Sequence, residues 1–218
     1  MTSNDFNILV ANADHQKFAE AICKEMEESA KARGTGIAKR NPEYVKQKMK
    51  EGKAIIALTK ESEPHFAGFC YIESWGHDKF VANSGLIVAP EFRKAGLATE
   101  IKHKSFELSR KKYPQAKLFG LTTSIPVMKI NQELGYRPVS FSELTDDEEF
   151  WKGCSSCVNY DILTRTNKKH CLCTGMIYDP AEKHPEENKW ELKSNLEKFL
   201  EVLTLKKGFL AKLIGREV

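Results

Sequence analysis

The stretch "LIVAPEFRKAGLATE", residues 86–100, decides the fold. An apolar strand candidate stops at Pro90, a short turn carries Arg93 and Gly96, and residues that favour a helix follow. A strand that feeds directly into a helix leaves the helix's first N–H groups unpaired. With the positive end of the helix dipole, those donors form an anion site wherever no bulky side chain blocks the approach. Gly96 removes the Cβ, Ala98 keeps the wall low, and Arg93 adds a guanidinium suited to phosphate oxygens. The turn is shaped for a diphosphate. It is not a dinucleotide fingerprint, because only one glycine of G-x-G-x-x-G is present, and no P-loop G-K-[ST] follows.

Three strand-like runs precede the turn: "KAIIALT" (53–59), "HFAGFCYIES" (65–74) and "KFVANSGLIV" (79–88). Their short connections, "KESEP" and "WGHD", suit antiparallel hairpins. After the turn, a helix over 95–113 places Leu97, Ala98, Ile101, Ser105 and Leu108 on its inner face and a strongly basic face outward. Further upstream lie a strand (6–11), an amphipathic helix (14–32) stopped by Gly34 and Gly36, and a helix capped by Asn41 with Pro42 at its first position. Downstream, "KLFGLTT" (117–123) reads as a buried strand and "IPVMKINQEL" as a short helix ended by Gly135. "YRPVSF" and "CVNYDILTR" read as further strands. Past Pro180 and Pro185, Leu192, Leu196, Phe199, Leu200 and Leu203 recur at helical spacing. That spacing predicts an amphipathic helix over 188–214 that covers a face of the domain or pairs two copies as a homodimer.

With 218 residues, 41% hydrophobic and 29% charged, the composition is that of an ordinary globular chain with one substantial core. A net charge of +4, from 34 basic and 30 acidic residues, is too small to indicate a nucleic-acid partner, and the basic helix lacks interleaved aromatics. The N-terminus has no basic region followed by a long apolar run, and no apolar run approaches the roughly 20 residues of a membrane span. A cytoplasmic protein without a membrane partner is expected. Six cysteines in that compartment are free thiols or metal ligands rather than disulfides.

In this setting "LIVAPEFRKAGLA" resembles the acyl-CoA-binding motif of the GNAT superfamily of N-acyltransferases, [QR]-x-x-G-x-[GA] after a strand, which Arg93, Gly96 and Ala98 match. The order of elements over residues 5–164 is also similar to that family's domain. The resemblance implies an α/β (α+β) fold with a mixed, mostly antiparallel central sheet flanked by helices, over residues 1–165. Residues 166–218 would add a cysteine-containing strand, a linker and the C-terminal helix. It also implies acetyl-CoA as co-substrate and transfer of its acetyl group to a primary amine. The main-chain amides of Arg93, Lys94, Ala95, Gly96, Leu97, Ala98 and Thr99 would hold the pyrophosphate, and Ile87 and Val88 would pair with the pantetheine arm. Lys94 and Lys102 would reach the 3'-phosphate. The family's "Y-x-x-x-G-[FY]" ending, counted back from Gly135, puts Asn131 where a proton-donating tyrosine is usual. An amide cannot donate that proton, so the acid is another group, water, or none at all.

Acetyl transfer also needs a deprotonated amine. Glu73 and His77, at the end of the third strand and its hairpin, are the candidate bases, His77 for its ordinary pKa. "GTGIAKRNPEYVKQKM", "LFGLTTS" and "ELGYRPV" are similar to the acetyltransferase part of N-acetylglutamate synthases, which implies a free amino acid such as glutamate as acceptor. Its carboxylate would need a guanidinium, for which Arg40 is the candidate and Arg33 its neighbour. A protein-lysine or N-terminal acetyltransferase, and a non-catalytic CoA- or zinc-sensing module, stay open as other readings.

Cys154, Cys157, Cys171 and Cys173 spell C-x2-C-x13-C-x-C, within the range of a tetrahedral zinc site. A hairpin of "CVNYDILTR" with "HCLCTGMIY" would hold Cys157 and Cys171 roughly 15 to 20 Å apart. The hairpin and the zinc site exclude each other, and the sequence assigns no metal ligand.

Overall fold

The computed structural model describes residues 2–34 and 40–182, with Arg33 in its backbone only. They belong to a compact unit, Met1–Ala181. The helix expected over 188–214, and any dimer contact made through it, lie outside the described residues.

The chain runs β1 (Phe6–Val10), α1 (Ala19–Arg33), α2 (Pro42–Lys50), β2 (Ala54–Thr59), β3 (Phe66–Trp75), β4 (Phe80–Val88), α3 (Leu97–Lys112), β5 (Lys117–Thr122), α4 (Ile125–Glu133), β6 (Arg137–Val139), α5 (Glu148–Lys152), α6 (Tyr160–Arg165) and β7 (Thr174–Tyr178). The strands form one sheet in the order β1-β2-β3-β4-β5-β7-β6, antiparallel except where β4 meets β5. This is the mixed, mostly antiparallel sheet that the sequence predicts. The strand expected within 166–218 is β7, and it pairs with β5 and β6 inside the sheet.

β2 is buried along its whole length because both of its faces are covered, so it reads as a continuous apolar run rather than an alternation. Ile56 and Leu58 pack with Ile22 and Met26 of α1 and Val45 and Met49 of α2, while Ile55 and Ala57 pack with Leu97 and Ile101 of α3. The β2–β3 register slips between Ala57 and Leu58, and a second irregularity lies in β4. The register with β3 slips between Phe69–Ile87 and Tyr71–Ser84, and Gly85 in the slip takes φ +64°. The extra residue puts Ala82 and Ile87 on the same face although their numbers differ by an odd step. Glycine is required there, since a Cβ would stand 2.4 Å from the Tyr71 ring and 2.8 Å from the Met26 methyl.

Residues 157–165 are not a strand. Their backbone closes short turns, Cys157 N–H to Cys154 C=O at 2.9 Å and Tyr160 N–H to Cys157 C=O at 3.1 Å, which lead into α6. The alternating Val158 and Tyr160 that suggested a strand are 71% and 37% exposed, whereas Leu163 is buried. The place beside β5 is taken by β7. Between β6 and β7 the chain makes an excursion, residues 140–173, which packs Phe141, Leu144, Phe150, Trp151 and Leu163 onto Ala82, Phe119 and Ile177.

Candidate active site

β4 and β5 are parallel neighbours only over Phe80–Ala82 and Lys117–Phe119. Beyond Ala82 the two strands separate, and β4 keeps its ladder to β3 while its other edge is left open. A crevice of about 1000 Å³ lies in this gap, walled by Asn83 to Leu86 on one strand and by Gly120 to Thr122 on the other. Ile87 and Val88, where the pantetheine arm was expected, end β4 opposite Phe69 and Gly68 of β3 and are not among the residues that line the crevice.

At the far end of β4 the turn leads into α3. Gly96 is the cap of that helix at φ +76°, Lys94 is also left-handed at φ +68°, and no side chain caps the helix. A Cβ built on Gly96 would meet nothing within 4 Å. The approach over Gly96 is thus clear of side chains, while two of the expected donors are already engaged, the Thr99 N–H with the Gly96 carbonyl at 3.1 Å and the Arg93 N–H with the Pro90 carbonyl at 3.4 Å. Lys94 and Gly96 are exposed, Ala95, Ala98 and Thr99 are half-buried, and Leu97 is buried against the sheet. The Arg93 side chain is committed elsewhere: Nε donates to the Val88 carbonyl at 3.0 Å, and the guanidinium bonds Glu25 and Ser29 of α1, both at 2.9 Å. It fastens the turn to α1, so the anion donors of the turn are main-chain ones.

Charged groups gather on one bank of the crevice. Arg40, just before the Asn41 cap of α2, donates through Nε to the Tyr71 hydroxyl at 2.5 Å and lies over the rings of Tyr44 and Tyr71. Glu73 of β3 receives Lys48 Nζ at 3.2 Å, with both side chains about 15% exposed. Burial still outweighs the neighbouring cations, Arg40 among them, and pushes the Glu73 carboxyl up to about 7. Burial lowers Lys48 in turn. His77 is exposed at the tip of the β3–β4 hairpin, with φ +54°, and does not line the crevice.

Lys102 departs most from expectation. The sequence reading sets it on the basic outer face of α3 with the 3'-phosphate, whereas it is 2% exposed, lines the crevice and holds Nζ 5.5 Å from the centre of the Tyr136 ring. It follows Ala98 by four residues and precedes Ser105 and Ser109 by three and seven, which is the inward stripe. Helical spacing would have found it, had the charge not argued for solvent. Around it are Cys70, which is fully buried, and a polar group of Asn83, Ser105, Ser109 and Tyr136. In that group Asn83 Nδ2 donates to Ser109 Oγ at 2.6 Å, and Tyr136 Oη lies 3.5 Å from Asn83 Oδ1. Asn131 is also buried in the crevice wall; its Nδ2 approaches Met176 Sδ at 3.5 Å and its Oδ1 has no partner.

The excursion 140–173 forms the other bank, with Phe141, Phe150, Tyr160 and the four clustered cysteines facing the crevice. The convergence of Cys154 and Cys157 with Cys171 and Cys173 rules out the simple hairpin. Burial, with help from the neighbouring thiols, raises Cys154 to about 11 and Cys173 to about 12, so both are protonated at neutral pH. Among the described residues no group of His, Cys, Asp or Glu is arranged to hold a metal ion. The four thiols face the crevice as polarisable, weakly polar side chains.

No protein-family profile and no curated protein matches the sequence. Solved structures do match the fold. The N-acetylglutamate synthase of Neisseria gonorrhoeae, complexed with coenzyme A and N-acetyl-glutamate, superposes with a TM-score of 0.56 at 16% identity, covering 81% of this chain and 35% of the synthase. A Mycobacterium tuberculosis protein in complex with CoA gives 0.56 at 14% identity, over 79% of this chain and 98% of that one. An acetyltransferase of the GNAT family from Staphylococcus aureus gives 0.53 at 10% identity, over 80% and 99%. The chain spans about a third of the length of the synthase it matches. The fold is that of the GNAT acetyltransferases. No helix among the described residues is long and apolar enough to cross a membrane.

Proposed function

We propose that this protein is an acetyl-CoA-dependent N-acetyltransferase acting on the primary amine of a small molecule that carries a carboxylate, a free amino acid such as glutamate. The observation that carries the reading is the pairing of an uncapped α3 N-terminus, open over Gly96, with a crevice between the diverging β4 and β5. The first suits a diphosphate and the second an extended thioester arm. The acceptor end of that crevice holds Arg40, a guanidinium suited to a carboxylate, and Glu73, a base whose raised pKa matches work near neutrality. The aromatic and thiol bank of 140–173 faces these groups across the crevice, which suits a small acceptor better than a protein side chain on an open groove. The synthase complex supports the amino-acid reading by analogy of fold.

In this reading Glu73 removes a proton from the acceptor ammonium, and the amine attacks the thioester carbonyl carbon. The open main-chain edge of β4 near Val88 stabilises the oxyanion. Acetyl-CoA is expected to raise the melting temperature, and release of free CoA is expected when glutamate or another amino acid is added but not when lysine-containing peptides are. Thermal traces unmoved by acetyl-CoA would remove the cofactor reading. Turnover of peptides ahead of all amino acids would replace the acceptor.

A further inference from the structure

We propose that Lys102 is the acid that protonates the departing CoA thiolate. The assignment rests on the acetyl-transfer reading above and fills the role that Asn131 cannot perform.

Place is the first argument. Lys102 enters the crevice from α3, one turn inside the helix start that faces the phosphates, and lines the gap between β4 and β5 together with Gly120 and Asn131. Its ammonium lies over the Tyr136 ring, and the Tyr136 main-chain N–H donates to the Asn131 carbonyl at 2.9 Å. Lys102 and Asn131 thus line the same crevice, the one from α3 and the other from α4. Asn131 itself fills the space over β5, since a Cβ on Gly120 would come 2.9 Å from its Nδ2.

The second argument is the absence of a counter-ion. Lys102 has no ion pair and no hydrogen bond among the described residues. The groups facing it are the Cys70 thiol from β3, the Tyr136 phenol, and the neutral Ser105 and Asn83. Burial raises both the thiol and the phenol, so neither supplies an anion near neutral pH. A buried ammonium without an anion is unfavourable until one arrives, and a thiolate leaving group is such an anion.

The third argument is acidity. Burial lowers the Lys102 pKa from the ordinary lysine range, opposed by Cys70, so its ammonium gives up a proton more readily than that of an exposed lysine. The step balances as follows. The tetrahedral intermediate collapses, the C–S bond breaks with its electron pair on sulfur, and the Lys102 proton moves to that sulfur. This leaves CoA as the thiol and Lys102 as a neutral amine, which regains a proton from solvent after product leaves. The acceptor nitrogen loses two protons in all: Glu73 takes one from the ammonium before attack and passes it to solvent, then takes the second from the nitrogen of the tetrahedral intermediate, so that one proton is released net once Lys102 is recharged.

The test begins with the thiol of bound CoA, followed by its ultraviolet thiolate absorbance as pH is raised. In the unaltered protein this thiol is expected to ionise at least one pH unit below free CoA, and in Lys102→Met at the pH of free CoA. Steady-state kinetics should show Lys102→Met losing on the order of 100-fold in kcat with little change in KM for acetyl-CoA. Lys102→Arg keeps the charge but cannot release a proton, so it should preserve the thiol shift and still lose kcat. Should the methionine variant fail to fold, NMR titration of 13C-labelled lysine in the unaltered chain replaces it, with the most depressed lysine moving upward when CoA binds. CoA that binds with the same thiol titration in the unaltered and variant proteins, or a lysine titration that ignores CoA, overturns the role of Lys102 alone. Failure of the unaltered protein to bind CoA overturns the cofactor reading and this one with it.

Discussion

The two banks of the crevice differ in kind. One, built from the start of α2, from β3, β4 and α3, carries Arg40, Glu73 and Lys102, and it runs on into the glycine-bearing turn through the continuous path from β4 into α3. The other, built from β5, α4 and the excursion 140–173, presents rings, thiols and amides, with Glu149 and Lys152 paired to each other. Aromatic contacts hold it together: Phe150 stacks edge-on against Trp75 at 5.1 Å, Phe119 at 5.6 Å and Trp151 at 4.8 Å. The difference teaches that the ionisable groups of the proposed chemistry and most of the rings and thiols come from separate parts of the chain, which meet where Phe150 packs on Trp75 of β3.

The largest effect should come from the turn. Gly96→Glu places a carboxylate among the donors and a Cβ at φ +76°, and is expected to weaken acetyl-CoA binding at least 100-fold, read as loss of the thermal shift. Next, Glu73→Gln is expected to lower kcat/KM by roughly 100-fold or more. The working form of Glu73 is the carboxylate, and its pKa is raised to about 7, so activity of the unaltered protein should climb as pH rises through about 7. A pH profile of the glutamine variant should lack that limb; a limb that persists would move the base elsewhere. Arg40→Met should raise KM for an amino-acid acceptor roughly 10- to 100-fold, the worth of a charge-assisted hydrogen bond, and leave KM for a primary amine lacking a carboxylate unchanged. Equal losses for both amines would mean that Arg40 serves only to hold Tyr71. The smallest effect belongs to the second bank: Cys173→Ser should change KM less than about threefold, because a protonated thiol there contributes surface rather than charge. A large loss, or loss of a bound metal, would give that bank a chemical role and erase the contrast.

Legibility in the sequence followed the same division. The turn at 93–98 and the helix start after it could be read because Pro90 and Gly96 dictate that backbone geometry locally. Glu73 and Arg40 could be placed because strand ends and helix caps are local signals as well. Two properties of Glu73 could not be read: its contact with Lys48 and the burial that raises its pKa both depend on how α2 packs across β3. Lys102 was misplaced because a lysine on a helix is nearly always solvated, and charge was allowed to override a spacing that pointed inward. The strand expected over 157–165 is a turn leading into α6, because Leu163 is the residue of that stretch that is buried while Val158 and Tyr160 face solvent, which depends on tertiary surroundings.

The path between β6 and β7 has one more consequence. These strands are antiparallel neighbours, so a turn of two residues would have joined them. The detour through 140–173 is thus not required to connect the strands, and what keeps it in place is the apolar cover it lays on Ala82, Phe119 and Ile177. Under the proposed function, a replacement detour that kept Phe141, Phe150 and Leu163 would retain that cover while recasting one wall of the crevice, a route to altering acceptor choice from outside the strand ladder.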